Sequence, residues 1–473
     1  MVVDVGGLVE LTAVEQRRLI ATKQVSATEL LDAHLARIAA VNPAVNAVIS
    51  LDAEVGRARA RAVDDAIAHG DDPGPLAGLV TAHKDLSDTA DFPTTFGSPL
   101  FAGFRPAADS VLVARMKAAG AVAIGKTNTP ELGAGSHTFN PVHGTTYNPW
   151  GLTRSAGGSS GGAAAALACR MVAIADGSDM GGSLRNPAAW GNVVGLRTTA
   201  RIVPRVGPGN PWLPLTTEGP MGRTVDDVLL LLRVIGVPDP RDPLSRTVEL
   251  PGELRPPDRP LRIAWSDDLG VPVELEQAEV LAGMRRTMDA LGWDVVDAEP
   301  DLDLAGDCFR VLRAWSSANS PTAESDRLAE VKQTVRDEIA DGRVLTAAQV
   351  AVAWEQLASL RRTAVEFFDR GFDVLACPVT QVAPFPTEWQ YPTEVAGHAM
   401  ADYIDWMASC WRITVTGCPA LSLPAGFDRA GLPVGIQLVA PLGADVDLLR
   451  AAKALETATG HGAKRPPILP ELS

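Results

Sequence analysis

Apolar residues along the chain follow two rhythms. Over roughly the first seventy residues they recur every three or four positions, the spacing of one helix face. Thr12 with Glu15, and Ser26 with Glu29, stand ahead of two such stretches. Each pair can place a hydroxyl and a carboxylate on the free N–H groups of a first helical turn. The second predicted helix carries Leu31, Leu35 and Ile38 on one face. It is expected to stop before Asn42-Pro43, because the residue ahead of a proline resists helical geometry. A third helix is predicted from Asp52 to Gly70.

From about residue 75 short apolar runs alternate with helical stretches. Leu79 to His83, Ala121 to Ile124, Val172 to Ala175, Leu261 to Trp265, Val374 to Cys377 and Ile436 to Val439 read as strands. Helices are predicted after Asp109, from about Gly161 and from Asp226 to Val234. The alternation predicts an α/β fold with a large mixed, mostly parallel β-sheet sandwiched by helices. Pro238 to Pro260, rich in proline and charge, reads as a surface crossing. Residues 270 to 370 read as mostly helical, with Trp315, Trp354, Phe367 and Phe368 as core aromatics.

Composition narrows the function classes. Hydrophobic residues at 46% and charged residues at 21% suit a folded chain with a sizeable core. A net charge of -15 repels a phosphate backbone, so nucleic acid is not an expected partner. The first twenty residues lack a basic start followed by an apolar core, and no apolar run approaches the roughly 20 residues of a membrane span. Neither a secretory signal nor a membrane anchor is expected. Cys169, Cys308, Cys377, Cys410 and Cys418 form neither CxxC nor a Cys/His cluster at zinc spacing. Buried free thiols, a cytoplasmic location and no metal are the expectation.

Glycine and serine concentrate at Gly157 to Gly162 (GGSSGG) and again at Gly177 to Arg185 (GSDMGGSLR). Tight turns alone would account for either stretch. Together they suggest backbone brought close to something bound. The first precedes the run AAAALA, so helix N–H groups there would favour a phosphate or a developing oxyanion. A Walker-type loop needs GxxxxGK[ST], and no lysine lies between Ser155 and Asp179. Gly157 to Gly161 also fits GxSxG, but that elbow requires an acidic residue and then a histidine downstream. Only His398 and His461 follow, neither in a catalytic-looking setting.

A serine hydrolase without histidine needs another base. Lysine serves when burial strips its hydration, because desolvation disfavours the ammonium form. Lys84 follows the apolar run Leu79, Val80, Thr81, Ala82 and is the best candidate, although Asp85 beside it also fits an ordinary charged lysine.

The combination LVTAHKDL (Leu79 to Leu86), GGSSGG and SDMGGSLRNPA (Ser178 to Ala188) resembles the amidase signature family. The lysine comes first, then two adjacent serines, then a serine 24 residues beyond Ser159. The likeness continues through VSATELLDAHLARIAAVNPAVNA, GKTNTPELG, EGPMGRTVDDV, TGCPALSLPAGF and GLPVGIQLVAP. It implies one domain over residues 1–473. Within it lie N-terminal helices (1–72), a catalytic core (73–236), a variable, mostly helical substrate-side region (237–372) and a C-terminal return to the sheet (373–473).

The resemblance also implies roles. Ser183 would be the nucleophile, Ser159 the proton relay after a cis Gly158–Ser159 bond, and Lys84 the base. Backbone N–H groups of Met180, Gly181, Gly182 and Ser183 would form an oxyanion hole. Ser160, Asp179 and Arg185 would hold the loops together. Gly133, Ala134, Gly135, Trp389, Tyr391 and Trp406, with Tyr403 and Trp411 nearby, would line the substrate pocket. No metal or organic cofactor is implied. The expected activity is hydrolysis of a small neutral, aryl or hydrophobic amide by a monomer or homodimer, extending to anilides, carbamates (urethanes) and esters. The alternative is the glutamine-hydrolysing component of an amidotransferase, working in a tRNA-dependent transamidation complex. A third reading is a binding protein that has kept the scaffold without the catalysis.

Overall fold

The computed structural model describes residues 5–207 and 209–469. The strands of its two larger sheets, in chain order, are β1 (Val48–Ile49), β2 (Val80–Lys84), β3 (Val122–Thr127), β4 (Ala175–Asp179), β5 (Val194–Arg197) and β6 (Thr217–Gly222). They continue with β7 (Arg262–Trp265), β8 (Asp294–Asp297), β9 (Val374–Pro378), β10 (Ala420–Phe427) and β11 (Pro433–Val439). Eight of these make one sheet in the order β8-β7-β9-β11-β10-β5-β6-β4, and β1-β3-β2 make a second. The two meet where the Ala173 N–H donates to Val80 O at 2.9 Å.

The large sheet is mixed and covered by helices on both faces, as expected. It is not mostly parallel. Among the described residues five of its seven pairings are antiparallel, and only β7–β8 and β7–β9 are parallel. The strand-helix alternation suggested parallel crossovers, but β4, β5 and β11 run against the other five strands, and the unread β5, β6 and β10 stand among them as antiparallel neighbours. β8 interrupts the helical stretch expected over residues 270 to 370.

Side chains of successive strand residues point to opposite faces, and the core follows that period. Ile263 and Trp265 of β7, with Val374 and Ala376 of β9, pack under the helices Val225–Ile235, Leu275–Ala290 and Asp445–Thr459. Ala264, Leu375 and Cys377 face the helices Ala305–Ala318, Ala347–Phe368 and Ala408–Thr414. Each fully buried Val, Leu or Ile contributes roughly 1.5–3 kcal/mol. Phe367 and Phe368 belong to this second layer, with Trp315 and Trp354 packed partly against it. All five cysteines are free and buried.

Both N-terminal capping boxes form, on Thr12 and Ser26, and Asp52 caps the third helix. The second helix differs from expectation by running Ala27–Val45, through Pro43. Pro43 falls in the last turn, where the missing N–H forfeits only one helical bond. The turn is closed instead by Asn42 Oδ1, which accepts from the Ala47 and Val48 N–H groups at 2.9 Å each. The strand expected at Val172 to Ala175 begins only at Ala175, since the ladder is made by Ala175 to Asp179 against β6. Residues 236–261 hold neither helix nor strand, in line with a crossing segment. No described helix is long and apolar enough to cross a membrane.

Candidate active site

Three pieces of backbone converge at the ends of β2 and β4. Lys84 is the last residue of β2, Ser159 and Ser160 precede the helix Gly161–Ala168, and Ser183 lies between β4 and the helix Arg185–Gly191. The Gly158–Ser159 peptide is cis. Gly162 lets the serine segment approach β3, because a Cβ there would sit 2.3 Å from the Asn128 nitrogen. Two N–H groups at the N-terminus of Gly161–Ala168 already have protein acceptors. Ser160 N–H donates to Ser183 O at 3.2 Å, and Gly162 N–H donates to Asn128 O at 3.1 Å.

The Lys84 amine is buried among oxygens. Its Nζ donates to Ser159 Oγ at 2.8 Å, Ser160 Oγ at 2.9 Å and Ser178 Oγ at 3.1 Å. Desolvation lowers its pKa to about 7, against opposition from Asp179, Asp176 and Glu218. An amine poised there is neutral for much of the time near pH 7 and can take a proton. Ser160 thus touches the amine as well as bridging the loops.

The serine segment is locked from outside. Thr129 Oγ1 donates to Ser159 O at 2.9 Å, Ser136 Oγ to Gly158 O at 2.9 Å and Thr138 Oγ1 to Gly157 O at 2.7 Å. Asn186 Nδ2 reaches Ser136 Oγ at 2.9 Å, tying this loop to the helix after Ser183.

Asp179 and Arg185 bind the Ser183 loop. Asp179 accepts from Gly182 N–H (3.0 Å), Leu184 N–H (3.1 Å) and Arg185 Nη2 (2.8 Å). Burial alone would raise its carboxyl, but Arg185 and Arg197 outweigh this and hold it well below the usual carboxylate range. Arg185 also donates to Cys410 O at 2.9 Å and Gln437 Oε1 at 2.6 Å. One expected donor is already spent. The Gly182 N–H serves Asp179, whereas among the described residues no protein acceptor takes those of Met180, Gly181 or Ser183. Gly182 itself has φ 117°, a left-handed conformation that suits glycine. Ser183 Oγ has no hydrogen-bond partner among the described residues.

Behind Lys84 lies a group the sequence did not single out. Asp176 accepts from His83 Nδ1 at 2.7 Å, the Lys84 N–H at 3.3 Å and Ser87 Oγ at 3.0 Å, all buried or nearly so. Burial would raise the Asp176 carboxyl, but its pairing with His83, helped by Lys126, holds it low. Ser178, to which the sequence assigned no role, sits across from Glu218 in the β4–β6 register. Its place on β4 immediately before Asp179 was the available signal.

Of the expected pocket residues, Ala134, Gly135 and Tyr391 line a cavity of about 80 Å³, together with His137, Phe139 and Tyr403. Gly133 borders Ser159, since a Cβ there would lie 3.7 Å from Ser159 Oγ. Trp389 is half exposed and stands outside this lining. Trp406 is a correction. It is buried and stacks on Trp190 at 5.4 Å and 6°, with Phe385 edge-on at 5.4 Å, so it is core. Trp411 likewise stacks on Phe309 at 5.2 Å. The sequence reading missed Lys332, Gln333 and Thr334, which line the cavity from the helical region.

The chain matches the Amidase family model over residues 29–449. It belongs to the amidase signature family. The acylamidase of Rhodococcus erythropolis is 33% identical, over 96% of this chain and 97% of that protein. The A component of the glutamyl-tRNA(Gln) amidotransferase of Salinispora arenicola is 35% identical, over 96% and 98%. Among solved structures, a bacterial aryl acylamidase of the amidase signature family superposes with a TM-score of 0.88 at 28% identity, covering 96% of this chain and 99% of that one. As an amidase signature enzyme the protein is a C–N hydrolase.

Proposed function

We propose that the enzyme hydrolyses a small amide carrying an aryl or otherwise hydrophobic group, through an acyl-enzyme on Ser183. The observation that carries this reading is the buried Lys84 amine, 2.8 Å from Ser159 Oγ and lowered to about 7. In the proposed cycle Ser183 Oγ turns toward Ser159 and attacks the carbonyl carbon. Its proton passes to Ser159 while the Ser159 proton passes to Lys84. The N–H groups of Met180, Gly181 and Ser183 receive the developing oxyanion, where a single well-aimed donor is worth about 3 kcal/mol. Lys84 returns the proton through Ser159 to the leaving nitrogen, and water then repeats the sequence to free the acid. The scheme draws on no metal or cofactor.

Carbamates present the same kind of carbonyl to the same nucleophile, and esters release an alkoxide more readily than amides release an amine. Anilide, aryl carbamate and ester cleavage therefore belong to the proposal. The second reading, a glutamine amidotransferase component, is favoured by the 35% identity to the Salinispora arenicola protein. Arylamine release from neutral anilides and aryl carbamates, by the wild type and Ser183→Ala, with glutamine as the comparison substrate, separates the two. Release by the wild type alone supports the proposal. Equal release by both sinks it, and turnover of glutamine alone selects the second reading.

A further inference from the structure

Lys332 brings an ammonium into the wall of the cavity from a segment remote from the signature. It is the N-cap of the helix Gln333–Arg343. Its backbone N–H donates to Glu131 Oε2 at 3.0 Å, which fixes the start of that helix against the Glu131–Gly133 turn. Its Nζ donates to Ala134 O and forms no ion pair within 4 Å among the described residues. Burial lowers the amine to about 8, so it is still mostly a cation at neutral pH.

The charged groups around it are occupied elsewhere. Glu131 accepts Ser98 Oγ at 2.7 Å on its other oxygen. Arg313 pairs with Glu338 at 2.9 Å and also donates to the Tyr403 hydroxyl. His137 is held down to about 4 by burial and is neutral, flanked by Ser155 Oγ and Thr387 O. The lining otherwise consists of Ala134, Gly135, Phe139, Tyr391 and Tyr403, with uncharged Gln333, Thr334 and Gln390. A ligand in this cavity therefore meets one cation and no anion.

Two parts of the cavity wall connect to the loops that carry Ser159 and Ser183. The Gly133–Gly135 turn that walls it also borders Ser159 Oγ. Tyr403, on another side, is linked through Arg313 to Met180, whose Sδ lies 3.5 Å from Arg313 Nη1.

We infer that Lys332 is a specificity residue that receives a carboxylate on the substrate, so that the preferred amides are acidic as well as hydrophobic. The carboxylate belongs to either the acyl part or the leaving amine, and the inference rests on the amide-hydrolase reading above. Such a contact is a charge-assisted hydrogen bond in a partly desolvated site, which favours an anion and disfavours an amine at the same position.

The test compares 4-acetamidobenzoate and glutaranilic acid with uncharged counterparts in which nitro or methyl replaces the carboxylate, reading arylamine release. At least one acid is expected to exceed its counterpart in kcat/KM by about tenfold. Lys332→Met collapses that ratio toward one, and Lys332→Arg keeps most of it. Calorimetric binding of the same compounds to Ser183→Ala, with and without Lys332→Met, reads the preference without turnover. Acids that bind and react no better than their counterparts overturn the inference, as does a preference that survives Lys332→Met. Arylamine release that persists in Ser183→Ala instead overturns the hydrolytic reading, so the two failures are told apart.

Discussion

Lys84 and Lys332 are both lysines that burial lowers, to about 7 and about 8, yet their surroundings give them different work. Lys84 ends a fully buried strand and meets three hydroxyls, each able to accept from the ammonium or donate to the neutral amine, with the Ser178 carbonyl farther off at 3.5 Å. That setting suits proton transfer. Lys332 caps the helix Gln333–Arg343 and meets a single carbonyl, which can only accept. That setting keeps the proton and leaves donors for a ligand. Burial sets the direction of a pKa, and the neighbouring oxygens decide whether the group moves protons or holds an anion.

The largest effect that sharpens this contrast is expected from Lys84→Met, which removes the base but not the hydroxyls. It should lower kcat/KM by about a thousandfold or more. A loss under tenfold would place the base elsewhere. In the wild type, the amine is neutral above its pKa and protonated below it, so kcat/KM should fall as pH drops through about 7.

Asp179→Asn attacks the frame that holds the Ser183 loop. It leaves Arg185 charged and uncompensated where neither side chain reaches solvent. Breaking such a pair costs about 3–5 kcal/mol, readable as a lowered denaturation midpoint. Loss of activity with an unchanged midpoint would mean that Asp179 acts on the chemistry instead.

Two tryptophans test where the pocket ends. Trp406→Ala should destabilise by about 3–5 kcal/mol, as removal of a core aromatic does. Trp389→Ala should stay within about 0.5 kcal/mol. Chemical denaturation of both variants checks this, and the reverse order would return Trp406 to the pocket.

The smallest expected effect comes from Asp176→Asn. The Asp176 charge raises the Lys84 amine. Removing it should move the acid limb of the pH profile to lower pH. A limb that stays in place, or moves up, would show that Asp176 matters only for packing.

What was legible in the sequence follows the same division. Capping residues act locally, so Thr12, Ser26 and Asp52 marked their helices. β6 did not read as a strand and β4 was placed too early, because their residues, Thr-Glu-Gly-Pro-Met-Gly and Ala-Asp-Gly-Ser-Asp, carry neither alternation nor branched side chains in series. β5 is buried throughout and shows no alternation either. The candidate triad lay within motifs, and its residues converge at the ends of β2 and β4. Lys332 and Arg313 had no local signal, because their meaning depends on which helices the chain folds across the cavity. Trp406 was misplaced because the sequence shows an aromatic side chain but not the Trp190 ring it stacks on.

The most direct test of the account is the intact mass of the protein after reaction with an aryl carbamate whose carbamoyl-enzyme breaks down slowly, followed by peptide mapping. One carbamoyl group on Ser183, formed at a rate that falls as pH drops through about 7, is the predicted result. A group on another residue, or a labelling rate flat well below neutrality, would contradict it.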